Sequence, residues 1–516
     1  MTPNTYQIKN ALISVTDKSG IVEFAKSLTE LGIEIFSTGG TFKILQTNGI
    51  PVKSVSDITN FPEILDGRVK TLHPNIHGGI LGCLDLPKHQ QEMKEHNINS
   101  IDMVVVNLYP FEKALESKLP HNEMIENIDI GGPTMLRSAA KNHLWTVPVV
   151  NPNKYNEIID LLKTNGNTLS VEYRQNLAGE VFRHTAYYDS LICGYFDKLS
   201  GEKFPETFAL PLKEVQPLRY GENPHQNAKL YGNQFGKIFT QLHGKELSYN
   251  NIADIDSISR LILEFDSPTA TIVKHTNPCG VGTADTLVEA YRKAFATDTV
   301  SPYGGIMAFN RTLDLATVEE INKIFSEVII APKFDDDALE VLKKRRDRRL
   351  IVADFDLMRQ TLGFEIKSVA GGFLTQESDT KMVTAADLKC VTNRKPTEDE
   401  IAAMLFGWRI VKHVKSNAIV YAAKDRSLGV GCGQMSRVDS AIIAANKAKE
   451  MGIELKNCAV ASDAFFPFAD ALMTAVNMGA TCAIQPGGSI RDQEVIDAAN
   501  ANNIAMVFTG NRHFKH

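Results

Sequence analysis

The chain has 516 residues, 43% hydrophobic and 22% charged, and a formal net charge of −6; that balance implies about three folded units and argues against a general nucleic-acid binder. Seven cysteines, at 83, 193, 279, 390, 432, 458 and 482, include no Cys-x-x-Cys pair, which argues against a disulfide framework or a zinc knuckle. The N-terminal stretch Met1 to Asn10 is polar and no apolar run approaches a membrane span, so a soluble cytoplasmic protein with reduced thiols is expected.

The first 150 residues alternate strand and helix. Ala11-Leu12-Ile13 reads as a strand, Gly20 to Leu31 as a helix, Ile33 to Phe36 as a strand and Thr41 to Thr47 as a helix. Met103 to Val106 and Thr146 to Val150 supply two more strands. Strands separated by helices imply a parallel sheet with right-handed crossovers. Ser14-Val15-Thr16-Asp17-Lys18 follows the first strand, and Ser37-Thr38-Gly39-Gly40-Thr41 follows the second and opens a helix. Glycine allows a close backbone approach, and free N–H groups at a helix start attract anions. One such loop is as often a helix cap as a site; two at one sheet edge point to a ligand. Gly67-Arg68-Val69-Lys70-Thr71-Leu72-His73-Pro74 adds two cations, on one side if the segment is extended. Asn107-Leu108-Tyr109-Pro110 follows the third strand, and Asp129-Ile130-Gly131-Gly132 opens a helix that runs to His143.

Residues 153 to 199 read as helical throughout, and Gly201 to Pro217, with three prolines, as a linker. From 218 onward helices and strands alternate again. Ala270 to Gly280, with Lys274-His275, and Arg409 to Ala422, with Lys412-His413 and Asn417, raise the prospect of a duplication. Lys343 to Arg349 is a run of charge without interleaved aromatic residues, so a solvated helix end is expected there rather than a nucleic-acid patch. Lys274-His275-Thr276-Asn277-Pro278-Cys279-Gly280 follows the apolar run Ala270 to Val273. Asn277-Pro278 and Gly280 are expected to turn the chain at the strand's end, where an imidazole can move a proton and an ammonium can steady an anion.

Taken in order, these segments resemble one family: the bifunctional purine-biosynthesis enzymes that join phosphoribosylaminoimidazolecarboxamide formyltransferase to IMP cyclohydrolase. The resemblance covers essentially the whole chain. It extends through Leu218 to Gln226, Gly433 to Arg437, Ser462 to Phe468, Gln485 to Ser489 and Arg512-His513-Phe514.

The resemblance implies an α/β protein in two parts. A methylglyoxal-synthase-like parallel-sheet domain at 1–200 carries the cyclohydrolase, and 201–217 is the linker. The formyltransferase region at 218–516 consists of two cytidine-deaminase-like halves, about 218–390 and 391–516. Pro278-Cys279 is followed by Gly280-Val281-Gly282, so the second cysteine of a deaminase zinc site is missing and no metal is expected. The implied co-substrate is 10-formyltetrahydrofolate. By resemblance, His275 takes a proton from the 5-amino group of the aminoimidazole carboxamide nucleotide and Lys274 steadies the intermediate. Arg219 and Arg512 grip the phosphate, and Tyr220, Asn251, Gly304, Glu327, Asn417, Arg437 and Phe465 make further contacts. In the cyclohydrolase, Lys141 transfers the proton, with Tyr109 and Asp129 about the reacting groups. Thr16, Lys18, Ser37, Thr38, Gly39, Arg68, Lys70, Thr71 and Asn107 hold the nucleotide. The family's members are homodimers acting on nucleotide and folate, with neither nucleic acid nor membrane as partner. The chain departs from the family pattern at Pro302-Tyr303, before Gly304, and carries Glu327 where some relatives have aspartate. The competing reading is a nucleotide-sensing protein with one or both activities lost.

Overall fold

The computed structural model describes residues 2–516 and parts between Leu212 and Lys213 into two compact units. In the first, β1 (Asn10–Val15), β2 (Glu34–Ser37), β3 (Lys53–Ser54), β4 (Met103–Asn107) and β5 (Val147–Val149) form one sheet in the order β3-β2-β1-β4-β5. Every pairing is parallel. Ala11, Ile13 and Val15 point into one apolar layer and Leu12 into the other, so helices cover both faces. The stretch expected to be helical throughout is two helices, Tyr155–Thr164 and Val171–Ser200. Gly166 and Asn167 adopt φ of 62° and 63° between them, and the Ser170 hydroxyl caps the second by accepting the Tyr173 N–H.

The second unit opens with a hairpin, β6 (Glu214–Leu218) and β7 (Ala228–Tyr231), so residues 214–217, read as linker, are strand. Its main sheet takes β8 (Phe239–His243), β9 (Thr269–Lys274), β10 (Asn277–Thr283), β11 (Gly305–Phe309), β12 (Ser326–Ala331) and β13 (Arg349–Ala353) from the first half. A separate hairpin follows, β14 (Phe364–Val369) with β15 (Gly372–Glu377). The second half adds β16 (Lys389–Cys390), β17 (Ile419–Ala423), β18 (Arg426–Gly431), β19 (Cys458–Ser462), β20 (Ala480–Gln485) and β21 (Ala505–Phe508). The twelve-stranded order is β16-β21-β20-β19-β17-β18-β10-β9-β11-β12-β13-β8. Read outward from the β18–β10 seam, both halves give the same order and the same sequence of antiparallel and parallel pairings. The unit is an internal duplication.

Its signature in the chain is glycine rather than Lys-His. Gly280-Val281-Gly282 in β10 and Gly429-Val430-Gly431 in β18 occupy equivalent places. A Cβ at Gly280 would lie 1.9 Å from the Ala294 carbonyl oxygen, and one at Gly431 1.9 Å from that of Ser440. Each seam strand thus lies against the backbone of a helix, Leu287–Thr297 or Arg437–Glu450. By contrast Lys274-His275 ends β9, whereas Lys412-His413 follows the helix Glu398–Val411. The topological counterpart of Lys412-His413 is Leu263-Glu264, after the equivalent helix Tyr249–Ile262. These counterparts meet: Glu264 accepts from His413 Nε2 at 3.0 Å and from Lys412 Nζ at 2.8 Å, all three nearly enclosed. The charge run is likewise only partly solvated. Lys344 to Asp347 are exposed, but Arg348 is fully buried and donates to Asn322 Oδ1 at 2.6 Å.

Burial pushes the Glu264 carboxyl up, but the His413 hydrogen bond and the nearby charges outweigh it and hold it below the usual carboxylate range. Burial pushes the His413 imidazole down. Both folded-state values lie below the unfolded ones, so both contributions are present above the unfolded values and are lost as pH falls. Removing Glu264 strands an ammonium in the core. Glu264→Ala is expected to cost about 3–5 kcal/mol, read as an earlier denaturant midpoint for this unit. Acidification below about pH 6.5 should erode wild-type stability.

Candidate functional site

The carboxyl ends of β1, β2 and β4 in the first unit open onto a cavity of ≈ 710 Å³, the position at which parallel α/β sheets bind ligands. Asn107 ends β4 and latches the first loop: its Oδ1 accepts the Thr16 and Asp17 N–H groups at 2.6 and 2.8 Å, and its Nδ2 donates to the Asp17 carbonyl. Lys18 Nζ donates to Thr41 Oγ1 at 3.0 Å and to the Val15 carbonyl. Burial pushes its ammonium below the usual lysine range, which favours an anionic neighbour. Gly39 starts the next helix at φ 56°. Glu63 bridges Thr38 Oγ1 (2.7 Å) and Lys70 Nζ (3.4 Å), and Arg68 pairs with Glu126. Arg68 and Lys70 are thus each paired with a carboxylate, and among the described residues Lys18 is not.

Asp129 precedes the helix Gly131–Lys141 and accepts the Gly132 N–H at 2.8 Å. Burial pushes its carboxyl up, against the pull of the Gly132 and Tyr109 N–H groups. Thr16, Lys18, Thr38, Gly39, Arg68, Lys70, Thr71, Asn107, Tyr109 and Asp129 all line this cavity. Two expected residues do not. Ser37 is fully buried in β2, where its hydroxyl donates to the Ile13 carbonyl at 2.6 Å and fastens the sheet. Lys141 is exposed at the C-terminal end of the helix whose N-terminal end forms the cavity wall, and it is not part of the lining. The lysines that line this cavity are Lys18 and Lys70.

In the second unit the expected turn is displaced. His275 and Thr276 themselves turn the chain, at φ of 53° and 62°, and Asn277-Pro278 already begins β10, with a bulge before Gly280. Lys274 Nζ donates to the Tyr303 carbonyl at 3.0 Å. The oxygen that holds Lys274 is thus a main-chain carbonyl of the Pro302-Tyr303 loop, and Asp298 pins that loop by accepting the Val300 and Ser301 N–H groups. Gly304, at φ 73°, donates its N–H to the Phe325 carbonyl.

Asn251 Nδ2 donates to Glu327 at 3.1 Å, and Arg349 pairs with the same oxygen at 3.0 Å. From the other half, the Asn277 side chain accepts the Lys415 N–H at 3.0 Å, tying the turn to the segment that carries Asn417. Ser416 and Arg437 both bind the fully buried Asp463 carboxylate, whose backbone carbonyl accepts the His513 N–H. Arg512 lies 4.6 Å from the Phe514 ring, and Arg437 is 5.9 Å from it. Phe465 follows β19 and is half-buried. Arg219 and Tyr220 stand at the end of β6 as a cation–π pair, 5.6 Å apart. Their loop is linked to the Asn250-Asn251 region through Asn250 Nδ2 and the Glu222 carbonyl at 3.4 Å. Asp254, Asp463 and Glu63 were not anticipated. Asp254 stands three residues after Asn251 on one helix face, a spacing that could have found it.

The fold and these two sites define an α/β enzyme with separate small-molecule centres on its two units. A family model described as AICARFT/IMPCHase bienzyme matches residues 139–447, and one described as MGS-like domain matches residues 20–134. The chain is 54% identical to the bifunctional purine biosynthesis protein PurH of Chlorobaculum parvum over 99% of both chains. It is 52% identical to that of Anoxybacillus flavithermus, over 98% of this chain and 100% of the relative. It belongs to the family of bifunctional purine biosynthesis proteins.

A Cβ at Gly132 would stand 2.5 Å from Asp129 Oδ2. Gly132→Ala is therefore expected to swing that carboxyl out of place and slow one of the two reactions, ring closure or formyl transfer, about 100-fold, while the other is unchanged. Parallel assays of the two reactions read both.

Proposed function

We propose that the second unit moves a formyl group from 10-formyltetrahydrofolate to the 5-amino group of the aminoimidazole carboxamide ribonucleotide, and that the first closes the product to inosinate with loss of water. Near-full-length identity of more than half to bifunctional relatives carries this reading. The cavity chemistry agrees with it.

The 5-amino group is conjugated and a poor nucleophile. His275, exposed at its turn, takes a proton from nitrogen as the amine attacks the formyl carbon. The new C–N bond forms a tetrahedral oxyanion, which Lys274 steadies from its seat on the Tyr303 carbonyl. Collapse breaks the bond to the folate nitrogen, which leaves with a proton. Arg219 and Arg512 suit the nucleotide phosphate through the guanidinium fork.

In the first unit Lys18, Arg68, Lys70 and the helix start at Gly39 take the phosphate. The carboxamide nitrogen attacks the formyl carbon of the same molecule, so holding the two groups together supplies much of the acceleration. Asp129, with its raised carboxyl, and Tyr109 are the proton-handling groups at the reacting end, in place of Lys141. This reading includes a cytoplasmic homodimer. In its support, Phe373 and Leu374 of β15 are 72% and 61% exposed, an apolar surface that a second subunit can cover.

Three substitutions separate the assignments. His275→Ala is expected to reduce formyl transfer at least about 1,000-fold and leave ring closure intact. Asp129→Asn should do the reverse, and Lys141→Met should leave ring closure within about threefold of wild type. Ring closure lost in Lys141→Met and kept in Asp129→Asn would return the proton transfer to Lys141.

A further inference from the structure

His275 and Thr276 form a turn that L side chains resist. Both lie in the left-handed region, and threonine, being β-branched, is among the residues least suited to it. Asp254, on the helix Tyr249–Ile262, meets the turn from below. Its Oδ1 accepts the Thr276 N–H at 2.7 Å, and the same carboxylate draws on the His275 N–H. One turn further along that helix, Ser257 Oγ donates to the Thr276 carbonyl at 2.9 Å. Asn277 Nδ2 donates to the His275 carbonyl at 3.1 Å. Among the described residues no lysine or arginine pairs with Asp254. Burial pushes its carboxyl up while the Thr276 N–H and the His275 charge pull it back. It serves backbone donors, as a cap does.

We propose that Asp254 is a positioning residue for formyl transfer: its carboxylate holds the His275-Thr276 turn in the left-handed form that presents the imidazole beside Lys274. This rests on the assignment of His275 as the proton acceptor. Released from the carboxylate, the turn relaxes toward ordinary backbone angles and the ring leaves its place. Substrate contacts made by other loops persist, so the defect falls on turnover rather than on binding.

The test compares Asp254→Ala, Asp254→Asn, the double variant Asp254→Ala with Thr276→Gly, and His275→Ala in the full-length protein, measuring kcat and KM for both substrates. Asp254→Ala is expected to lose about 100-fold in kcat with KM nearly unchanged. Asparagine caps backbone N–H groups as well as aspartate, so Asp254→Asn should stay within about threefold of wild type. Glycine adopts the left-handed turn without cost, so Thr276→Gly should restore about tenfold to Asp254→Ala. If Asp254→Ala folds poorly, Asp254→Glu, which shifts the acceptor by one methylene, carries the same expectation for kcat. Wild-type turnover in Asp254→Ala, a change in KM alone, or rescue by neither asparagine nor glycine would overturn the proposal. Loss of activity in His275→Ala beside a silent Asp254→Ala would sink this inference and leave the functional reading standing. Full activity in His275→Ala would remove both.

Discussion

The second unit depends on how closely two helices approach two strands. At Gly280, Gly282, Gly429 and Gly431 there is no room for a side chain, because helix carbonyls stand where a Cβ would be. That approach brings β10 and β18 together as the seam of one continuous sheet. On one face a single apolar core crosses both halves, with Ile255 and Ile258 from one and Trp408 and Ile410 from the other. On the opposite face each half keeps a core of its own. The duplication therefore behaves as one body, and the loops at the seam are fixed relative to one another.

The candidate formyltransferase site follows from that geometry. Lys274-His275 belongs to the first half, and Asn417, Arg437 and Phe465 to the second. The hydrogen bond from the Lys415 N–H to Asn277 joins the two sets. Asp463, with no exposure to solvent, gathers Ser416 and Arg437 around its carboxylate and takes the His513 N–H on its backbone carbonyl. A buried anion satisfied in this way is costly to disturb, and the same residue's carbonyl holds the C-terminal segment carrying Arg512. The first unit uses a different device, a parallel sheet whose strand ends converge on one cavity, with Asn107 fastening the neighbouring loop.

Legibility in the sequence tracked the range of the interaction. Apolar runs and glycine-bearing loops gave four strands of the first sheet, missing the two-residue polar β3, and most of its cavity, because the β1 and β2 loops follow their strands directly. The same local logic misjudged Ser37: a hydroxyl beside Thr38-Gly39 looks like a ligand contact until the strand pairing turns it toward the Ile13 carbonyl. It misplaced the 275–276 turn, since Asn, Pro and Gly are stronger turn formers than His and Thr. A carboxylate 21 residues upstream, Asp254, holds the turn where it is.

By itself the sequence determined the fold class and the family, because those depend on residue type and order along the chain. Only the tertiary structure decided that Lys18 and Lys70 but not Lys141 line the first cavity, and which Lys-His pair lies at an open turn and which is locked against Glu264 in the core. It also decided which member of a charge run is buried. Helix length and direction separate Lys141 from Asp129, and the pseudo-symmetry of the sheet brings Lys412-His413 against its own counterpart. Both are distances through space, and chain order does not encode them.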